Sequence, residues 1–417
     1  MLQPLTPKAQ APLSPASTAP TDTASILSLK HRRRTHPGLR PREAPRLRIV
    51  VDHAALAPAL AVAARAVPAR SVRPVLNALL LTAADGHLTV TGTDLETTIV
   101  ATTPASVEIE GRAALPARYL TDLMRRIPSG TLEIGTDPES GIAKITWGRS
   151  HFTVHGFSPA DYPTVPAFPT TPQHTFPQRL LRDAISHTAF AAAQGETARA
   201  LLTGVELRLA PQALFALATD GFQAAVYASD PNAQRPKDGA LVVPASVLQE
   251  IARILTDSEE PCDVALDHHQ IMVRSAATHV AARILEGKYF AVLDLVPTSF
   301  PTRIRSERHT LLGALERMAT IAEAEAPYCV LIDVTQDGLQ LSATRPDVGS
   351  AQEELPANVS GPALHIGFNV RQSLDGLRRF TGREILLEIS GPKSLSRWSD
   401  PDDQRFQHLQ MPLEMPD

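Results

Sequence analysis

One segment of the chain has the apolar spacing of an amphipathic helix, and related segments occur further along. Between Leu115 and Ile127 the sequence reads LPARYLTDLMRRI, with apolar residues at i, i+3, i+4 and i+7 and a polar opposite face. The polar pattern Arg-x3-Asp-x2-Arg-Arg returns in NVRQSLDGLRRF (369–380), and VPASVLQEIARIL (243–255) keeps one acid and one base. Three related helices predict a triplicated architecture.

Strand-like alternation surrounds each of these helices in a similar order. The first block is predicted to run strand, helix, three strands, helix and three strands, starting at LRIVV (47–51) with an Ala-rich helix capped by Asp52. The second and third blocks begin with helices near 178–193 and 310–324, and strands and the related helix follow. Each block therefore predicts two helices and about six short strands.

Two landmarks keep nearly one period. The related helices begin 128 and 125 residues apart, at Pro116, Pro244 and Asn369. Threonines that end a strand lie 126 and 125 residues apart, at Thr93, Thr219 and Thr344. Such regularity indicates internal duplication. We predict an α+β fold with helices on a sheet face and domains at 46–168, 173–298 and 301–417, joined by linkers near 158–172 and 292–301.

Composition and charge narrow the class of protein. The 417 residues are 43% hydrophobic but contain no apolar run of about 18, so no membrane span is expected. Cys262 and Cys329 are too few for a disulfide framework, and we expect two core thiols in a cytoplasmic protein. The net charge is −4, but residues 1–45 hold seven Lys/Arg and two acids, so the remainder carries −9.

The first 45 residues are rich in Pro, Ala, Ser and Thr and contain no aromatic residue. They cannot bury enough apolar surface to offset chain entropy, so a disordered tail is expected. Its basic cluster KHRRR (30–34) either touches DNA phosphates, remains solvated, or belongs to an extension upstream of a misplaced start codon.

Arginines gather on the polar faces of the predicted helices. If the blocks form an arc with helices on its concave side, an acidic protein acquires a basic groove that contacts phosphates without reading bases. The alternative is ordinary solvated helix faces with intrahelical Asp–Arg pairs. The residues expected to face DNA are Arg65, Arg70, Arg73, Arg118, Arg125, Arg126, Arg179, Arg182, Arg199, Arg253, Arg317, Arg371, Arg378 and Arg379.

The chain resembles the bacterial DNA polymerase III β subunit family, the sliding clamps, over about 47–413. The resemblance is carried by VRPVLNALLL with TGTDLE in the first block, LATDG in the second, VPTSFPTR between the last two blocks, and GFNV with a terminal MP in the third. It implies a head-to-tail homodimer that closes as a ring of six domains around double-stranded DNA. It also implies a clamp loader, the DNA polymerase III α subunit and other clients as partners, with no cofactor and no catalytic site.

The resemblance also assigns two protein-binding surfaces. The dimer joint would use Tyr119, Leu120, Leu123, Ile321 and Ala322, for which packing inside one domain is the alternative. A pocket for client peptides between the second and third domains would use Leu202, Thr219, Gly221, Phe222, Gln223, Ala224, Phe290, Asp294, Leu295, Met411, Pro412, Leu413 and Met415.

The pocket departs from the family pattern. Phe222-Gln223 stands where the family has His-Arg, Phe290 lies in an altered segment (287–292), and Glu414 replaces an expected Arg. The loss of positive charge and the gain of two phenylalanines would narrow or reshape the pocket. A specialised paralogue with altered clients is therefore an alternative.

Two rival functions remain. Asp267-His268-His269 superficially resembles a phosphoesterase metal motif, but it lies between two strand patterns, where a polar turn is expected, and no set of carboxylates accompanies it. The chain has no P-loop, nucleophile elbow or zinc spacing. The second rival is a clamp-fold scaffold that does not encircle DNA, and dimerisation discriminates it from a clamp.

Overall fold

The architecture is taken from a computed structural model that describes residues 47–137, 141–195, 198–211, 213–232, 239–267, 269–323 and 328–414. The described residues belong to one compact unit. The tail expected over 1–45, His268 and Met415 lie outside the described residues.

The first repeat begins with a strand and contains two helices. Asp52 accepts a hydrogen bond from the backbone N–H of Ala54 and so caps the first helix, as the sequence predicts. The elements are β1 (Arg48–Asp52), α1 (His53–Ala63), β2 (Ala78–Ala84), β3 (His87–Thr93), β4 (Thr97–Pro104), β5 (Ser106–Ile109), β6 (Gly111–Pro116), α2 (Ala117–Arg126), β7 (Thr131–Thr136), β8 (Ile142–Trp147) and β9 (Ser150–His155). Short 3₁₀ turns cover Ala64–Ala66, Pro74–Asn77 and Pro159–Asp161.

The second repeat has the same plan with one strand fewer. Its elements are β10 (His174–Pro177), α3 (Gln178–Thr188), β11 (Gly204–Ala210), β12 (Ala213–Thr219), β13 (Gln223–Ala228), β14 (Ala240–Pro244), α4 (Ala245–Ile254), β15 (Pro261–Leu266), β16 (Gln270–Ser275) and β17 (Thr278–Arg283). Its 3₁₀ turns are Ala189–Ala191, Ala200–Thr203 and Val292–Leu295.

The third repeat contains two helices and nine strands among the described residues. Asn369 caps its second helix by accepting hydrogen bonds from the backbone N–H groups of Arg371 and Gln372. The elements are β18 (Thr302–Glu307), α5 (Arg308–Ala322), β19 (Cys329–Val334), β20 (Leu339–Arg345), β21 (Gly349–Leu355), β22 (Asn358–Ser360), β23 (Leu364–Asn369), α6 (Val370–Leu377), β24 (Glu384–Ile389), β25 (Ser396–Ser399) and β26 (Phe406–Gln410).

The strands form antiparallel sheets, two of which cross from one repeat into the next. The helices of each repeat pack together, and the first helix of each lies on equivalent strands: α1 on β3 and β4, α3 on β12 and β13, α5 on β20 and β21. The strand orders are β5-β1-β7-β8-β9, β10-β15-β16-β17-β4-β3-β2-β6, β14-β11-β12-β13-β26-β25-β24-β18-β22 and β21-β20-β19-β23. Each repeat therefore contributes strands to two sheets rather than one.

The hydrophobic core follows the same division. One buried cluster belongs to the first repeat and includes Leu56, Leu60, Leu120 and Met124. Another runs through the second and third repeats, and Ala66 and Ile99 of the first repeat join it. The apolar face predicted for the Leu115–Ile127 segment is thus the face that α2 buries.

The expectation of about six strands in each block is wrong, because the described residues contain nine, eight and nine. The missed strands are β5, β6, β10, β14, β18, β22 and β23. β6 and β14 end in the proline that precedes a helix, so their residues were read as helix starts. β10 lies beside a Pro-rich segment, and β18 (TRIRSE) follows directly after the expected linker at 292–301 and alternates charged and uncharged residues.

Candidate functional site

Most of the arginines expected to face DNA lie on helices or directly after them, whereas Arg70, Arg73 and Arg199 lie in loops. Most of the set has an acidic neighbour. The intrahelical pairs of the alternative interpretation occur around Asp122, which lies 3.9 Å from Arg118 and 3.5 Å from Arg125, and between Glu250 and Arg253. Others pair between elements: Arg65–Glu250, Arg179–Glu259, Arg182–Asp257, Arg317–Glu353, Arg371–Glu323 and Arg378–Glu316. Exposed pairs of this kind contribute about 0–1 kcal/mol each, so an approaching phosphate can compete for the arginine.

The remaining predicted arginines have no such neighbour. Within the described part of the chain, no ion pair forms at Arg70, Arg73, Arg126 or Arg199, and the Arg379 guanidinium lies 5.3 Å from the centroid of the Phe190 ring. Arg70 also lines a groove of about 1290 Å³ between α1 and α2, together with Arg118, Arg125 and the exposed Tyr119. No Asp or Glu lines this groove among the described residues, although Arg118 and Arg125 pair with Asp122 beside it.

Consecutive repeats are joined by strand pairing. At the first joint β4 pairs with β17, with Thr97 opposite Ala282. At the second joint β13 pairs with β26, with Gln223 opposite Gln410. The four joint strands are largely buried.

Helices reinforce both joints in the same way. The end of the first helix in one repeat meets the second helix of the next, as Arg65 meets Glu250 of α4 and Phe190 meets Arg379 after α6. The repeats therefore follow one another with a single geometry.

The strands equivalent to these joint strands at the two ends of the series are uncovered. β9 corresponds to β17 and β26, and β21 corresponds to β4 and β13, yet each is a sheet edge. Exposed and half-buried residues alternate along β9, and β21 is exposed over most of its length. Val348, directly before β21, is 53% exposed. Among the described strands, the first and third repeats thus each have one unpaired strand, β9 and β21, at the position that forms a joint elsewhere in the chain.

The residues expected at a dimer joint divide into two groups. Tyr119 is 68% exposed, and Leu123 and Ile321 are half-buried. Leu120 and Ala322 are each 1% exposed and belong to the cores of their own repeats. Packing inside one domain, the alternative interpretation, describes these last two.

A cleft with an apolar rim lies at the second joint. Phe222, Phe290, Leu295 and Met411 are 68%, 50%, 62% and 37% exposed, although large apolar side chains are usually covered. Backbone bonds bring the third repeat to this rim, because the N–H of Met411 donates to the Phe222 carbonyl oxygen at 2.8 Å. We call these four residues the apolar rim.

The other residues expected in the pocket form its frame. Thr219, Gln223 and Ala224 are buried, and the Thr219 hydroxyl donates to the Gln223 carbonyl oxygen at 2.6 Å. Leu202, Pro412 and Leu413 are half-buried, whereas Gly221 and Asp294 are exposed. Leu413 donates its N–H to the Gly367 carbonyl oxygen at 2.8 Å.

Sequence reasoning missed two buried groups beneath the rim. The Tyr289 hydroxyl donates to the Gly204 carbonyl oxygen at 2.9 Å and accepts from the Thr219 N–H at 3.1 Å, and burial raises its pKa. His408 Nε2 lies 3.1 Å from Gln223 Oε1, and burial lowers the pKa of its imidazole to about 3. The sequence did contain a signal for Tyr289, because Tyr162 precedes it by nearly one repeat period. Tyr162 is also buried, and its hydroxyl donates to the Thr91 carbonyl oxygen.

The segment that resembles a phosphoesterase metal motif forms a turn around Asp267. Asp267 Oδ1 accepts hydrogen bonds from the backbone N–H groups of His269 and Gln270 at 2.8 Å. In the ranges that the structure describes, no group of three or more His, Cys, Asp or Glu side chains is arranged to hold a metal ion. Burial raises the pKa of the Cys262 thiol to about 11, so it stays protonated near neutral pH.

None of the helices in the described ranges combines the length and the apolar character that crossing a bilayer requires.

Three family models match the chain in consecutive segments. Their descriptions are DNA polymerase III beta subunit, N-terminal domain, for residues 47–166, central domain for 175–290, and C-terminal domain for 294–414. Among curated proteins, the beta sliding clamp of Synechococcus elongatus is 29% identical over 375 residues, which cover 88% of this chain and all of that relative. That of Staphylococcus aureus is 27% identical over 336 residues, 78% of this chain and 88% of the relative.

Solved structures agree with this chain in fold. A DNA polymerase sliding clamp from Bacillus subtilis superposes with a TM-score of 0.84 at 24% identity, over 89% of this chain and all of its own. The sliding clamp from Pseudomonas aeruginosa bound to griselimycin has a TM-score of 0.82 at 26% identity, over 88% of this chain and all of its own.

Proposed function

Because this chain belongs to the bacterial DNA polymerase III beta subunit family, the beta sliding clamps, we propose that two copies close head to tail into a ring around double-stranded DNA. The observation that carries the proposal is that β9 and β21 lack a partner strand in the described part of the chain, whereas the equivalent strands at the internal joints pair as β4 with β17 and β13 with β26. A third pairing of the same kind, made twice between two copies, leaves no joint strand open. Closed symmetry of this sort is the usual outcome for a homodimer.

The internal joints predict the register of the ring joint. Gly349 corresponds to Thr97 and Gln223, because each lies one residue before the strand partner of the repeat's landmark threonine. Val154 corresponds to Ala282 and Gln410, which pair with Thr97 and Gln223 at the internal joints. Gly349 therefore lies opposite Val154 of the partner subunit, and the exposed Val348 lies directly beside this pair. Unpaired strand edges are open to pairing with another chain, so this joint needs no rearrangement of either copy.

A helix contact accompanies the ring joint. Gln372 of α6 donates to Asp220 across the second joint at 3.1 Å, and Tyr119 holds the equivalent position in α2. Tyr119 then packs on the partner subunit's turn that ends at Val348, which accounts for an aromatic side chain that is 68% exposed in the single chain. Aromatic anchors of this kind dominate protein interfaces.

The arginine-bearing helix faces supply the inner surface of the ring in this proposal. A closed ring stays on DNA without binding it tightly. Exposed arginines that exchange a carboxylate partner for a phosphate therefore suit a sliding contact. The chain has no catalytic role in this proposal. It acts in the cytoplasm as a processivity subunit that tethers the DNA polymerase III α subunit and other clients, after a clamp loader has placed it on DNA.

The apolar rim is the proposed docking surface for client peptides. Phe222 and Phe290 enlarge its apolar area where the resemblance implies a more basic rim. This departure favours a second candidate function, a specialised clamp with a different set of clients. A non-encircling scaffold is the other candidate, and the uncovered edges argue against it.

Ring closure is tested by light scattering on the full chain and a Val348→Asp variant. We expect a wild-type mass of about twice 44.9 kDa. The variant should be monomeric, because an unpaired charge removed from water costs several kcal/mol, and dimerisation should weaken at least about a hundredfold. The matched control is Ile109→Asp, which changes an apolar residue that is 41% exposed on a strand at the opposite edge of the β9 sheet, and it should remain dimeric.

A wild-type chain that is monomeric at micromolar concentration would contradict the ring proposal. A Val348→Asp variant that still dimerises like Ile109→Asp would show that the two copies meet elsewhere.

A further inference from the structure

We propose that the first joint carries a second protein-binding cleft, which takes an extended peptide segment with a basic side chain. The cleft lies between the first and second repeats, at the place where the apolar rim lies between the second and third. It belongs to a single chain, so the inference does not depend on ring closure.

The two clefts share a backbone frame. At the second joint, Met411 donates its N–H to the Phe222 carbonyl oxygen and Leu413 to that of Gly367, both at 2.8 Å. At the first joint the equivalent bonds run from Arg283 to the Glu96 carbonyl oxygen at 3.0 Å and from Leu285 to that of Val242 at 2.7 Å. The two joints therefore share these two backbone bonds, and different side chains surround them.

The first-joint cleft is open and mixed in character. It encloses about 760 Å³, within the range of small ligand and peptide pockets. One wall is apolar and suits the aliphatic stem of a long basic side chain. The lining is Asp94, Glu96, Thr97, Pro244, Ser246, Val247, His269, Arg283, Ile284, Leu285 and Glu286.

Within the ranges that the structure describes, the Asp94 carboxylate in this cleft lacks the side-chain amide donors that its counterpart Asp220 has at the second joint. At the second joint, Asp220 Oδ2 accepts from the side-chain amides of Gln372 and Gln223, at 3.1 and 3.2 Å. Val247 and Thr97 replace these two amides at the first joint. Asp94 is exposed, and its Oδ1 accepts from the N–H groups of Glu96 and Thr97. No donor among the described residues reaches its Oδ2, which is open to solvent. That oxygen is the acceptor we assign to a ligand cation.

The charged residues at the edge of the first-joint cleft favour a ligand with a basic side chain. Glu96 stands where the second joint has Phe222, and Arg283 stands where it has Met411, so the apolar anchors are replaced by ions. Arg283 lies 3.3 Å from Glu96, and both are about two-thirds exposed, so the pair is weak and a competing cation can open it. Glu286, 81% exposed and 3.6 Å from His269, adds a third carboxylate, which leaves an excess of negative charge near neutral pH.

Fluorescence anisotropy with two labelled peptides tests the assignment. The basic probe is Gly-Arg-Leu-Arg-Gly, with a citrulline version as its neutral isostere, and the apolar probe is Gly-Leu-Gly-Leu-Phe. The variants are Asp94→Asn, which keeps the Oδ1 acceptor and thus the local turn, and Phe222→Ser at the apolar rim. Size-exclusion mass and circular dichroism confirm that both variants fold.

We expect Asp94→Asn to weaken the basic probe about tenfold, because a hydrogen bond to a charged group is lost, and to leave the apolar probe unchanged. Phe222→Ser should weaken the apolar probe and leave the basic probe unchanged. Equal binding of the arginine and citrulline probes, unchanged binding of the basic probe to Asp94→Asn, or no saturable binding of that probe to the wild type would each overturn the inference. Failure of the apolar probe alone contradicts the proposed client surface and leaves this inference standing.

Discussion

At the residue scale, the second joint depends on a histidine that stays neutral. His408 is fully buried and lies beside Phe190, with ring centroids 5.8 Å apart. Its Nε2 faces Gln223 Oε1 and must carry the proton for that hydrogen bond to form. A Cβ on Gly376 would collide with the ring, so the glycine allows α6 to lie close enough to cover it. The joint is therefore built around an uncharged imidazole.

This burial predicts that the chain loses stability in mild acid. Burial lowers the pKa of His408 to about 3 from the ordinary histidine value of 6.5, so below pH 6.5 the unfolded chain binds a proton that the folded chain rejects. The stabilisation is present above pH 6.5 and is lost as the pH falls towards 3. Between pH 7 and pH 5 we expect this group to remove roughly 2 kcal/mol from the free energy of unfolding, measured by urea denaturation.

The His408→Gln variant isolates this contribution, because an amide keeps a donor for Gln223 but does not titrate. Its free energy of unfolding should fall by roughly 2 kcal/mol less than that of the wild type over the same pH interval. His87→Gln, at an exposed position on β3, serves as the control and should follow the wild type. Identical pH dependence in all three proteins would rule out the buried imidazole as the cause.

Some single residues were predictable from sequence and others were not. Asp52 caps α1 as predicted, because a capping side chain acts on backbone groups two residues away. The burial of Leu120 and Ala322 was left open, because helical spacing alone does not say which apolar residues remain at the edge of the buried face. The Arg65–Glu250 pair joins residues of different repeats, and no local pattern encodes it.

At the element scale, the helix faces govern how the chain meets DNA. Among the described residues, Arg179 and Arg182 of α3 pair with the exposed carboxylates of Glu259 and Asp257. A double change to Gln should therefore alter stability by less than about 1 kcal/mol. It should weaken binding of a short labelled duplex at low ionic strength and make the slope of log K against log salt less steep by up to about 2, one for each lost phosphate contact.

The control for this measurement is a double variant on strands, Arg48→Gln with Arg305→Gln. Both arginines are about half exposed and paired with carboxylates, so charge and accessibility match. We expect the wild-type salt slope for the control. If the two double variants change the slope equally, DNA responds to total charge rather than to the helix faces.

Sequence patterns predicted the helices better than the strands. The α2 segment carries apolar spacing over three turns, which only a helix satisfies, and the structure has it at Ala117–Arg126. Strands such as β6 and β14 are short and run straight into helices, so their alternation is too brief to detect. The β4–β17 and β13–β26 pairings link residues about 180 positions apart. Such pairing is fixed by the packing of whole repeats rather than by local sequence.

At the scale of the whole molecule, one geometry is used repeatedly. The period near 126 residues predicted the triplication, and the structure adds that successive repeats share sheets through equivalent strands. Sequence alone did not reveal which strand edges remain open, because this requires the strand order. The uncovered β9 and β21 make a closed ring of two copies the simplest completion of the series.

The most direct test of this account is retention on DNA of different topology. The full chain, loaded by a clamp loader onto nicked circular DNA, is separated from free protein by gel filtration at high salt, before and after a restriction enzyme linearises the circle. We predict that the protein stays with the circle and is lost when the DNA is cut, because it is held by enclosure rather than by affinity. Equal loss from circular and linear DNA would contradict encirclement and leave a clamp-fold scaffold as the function.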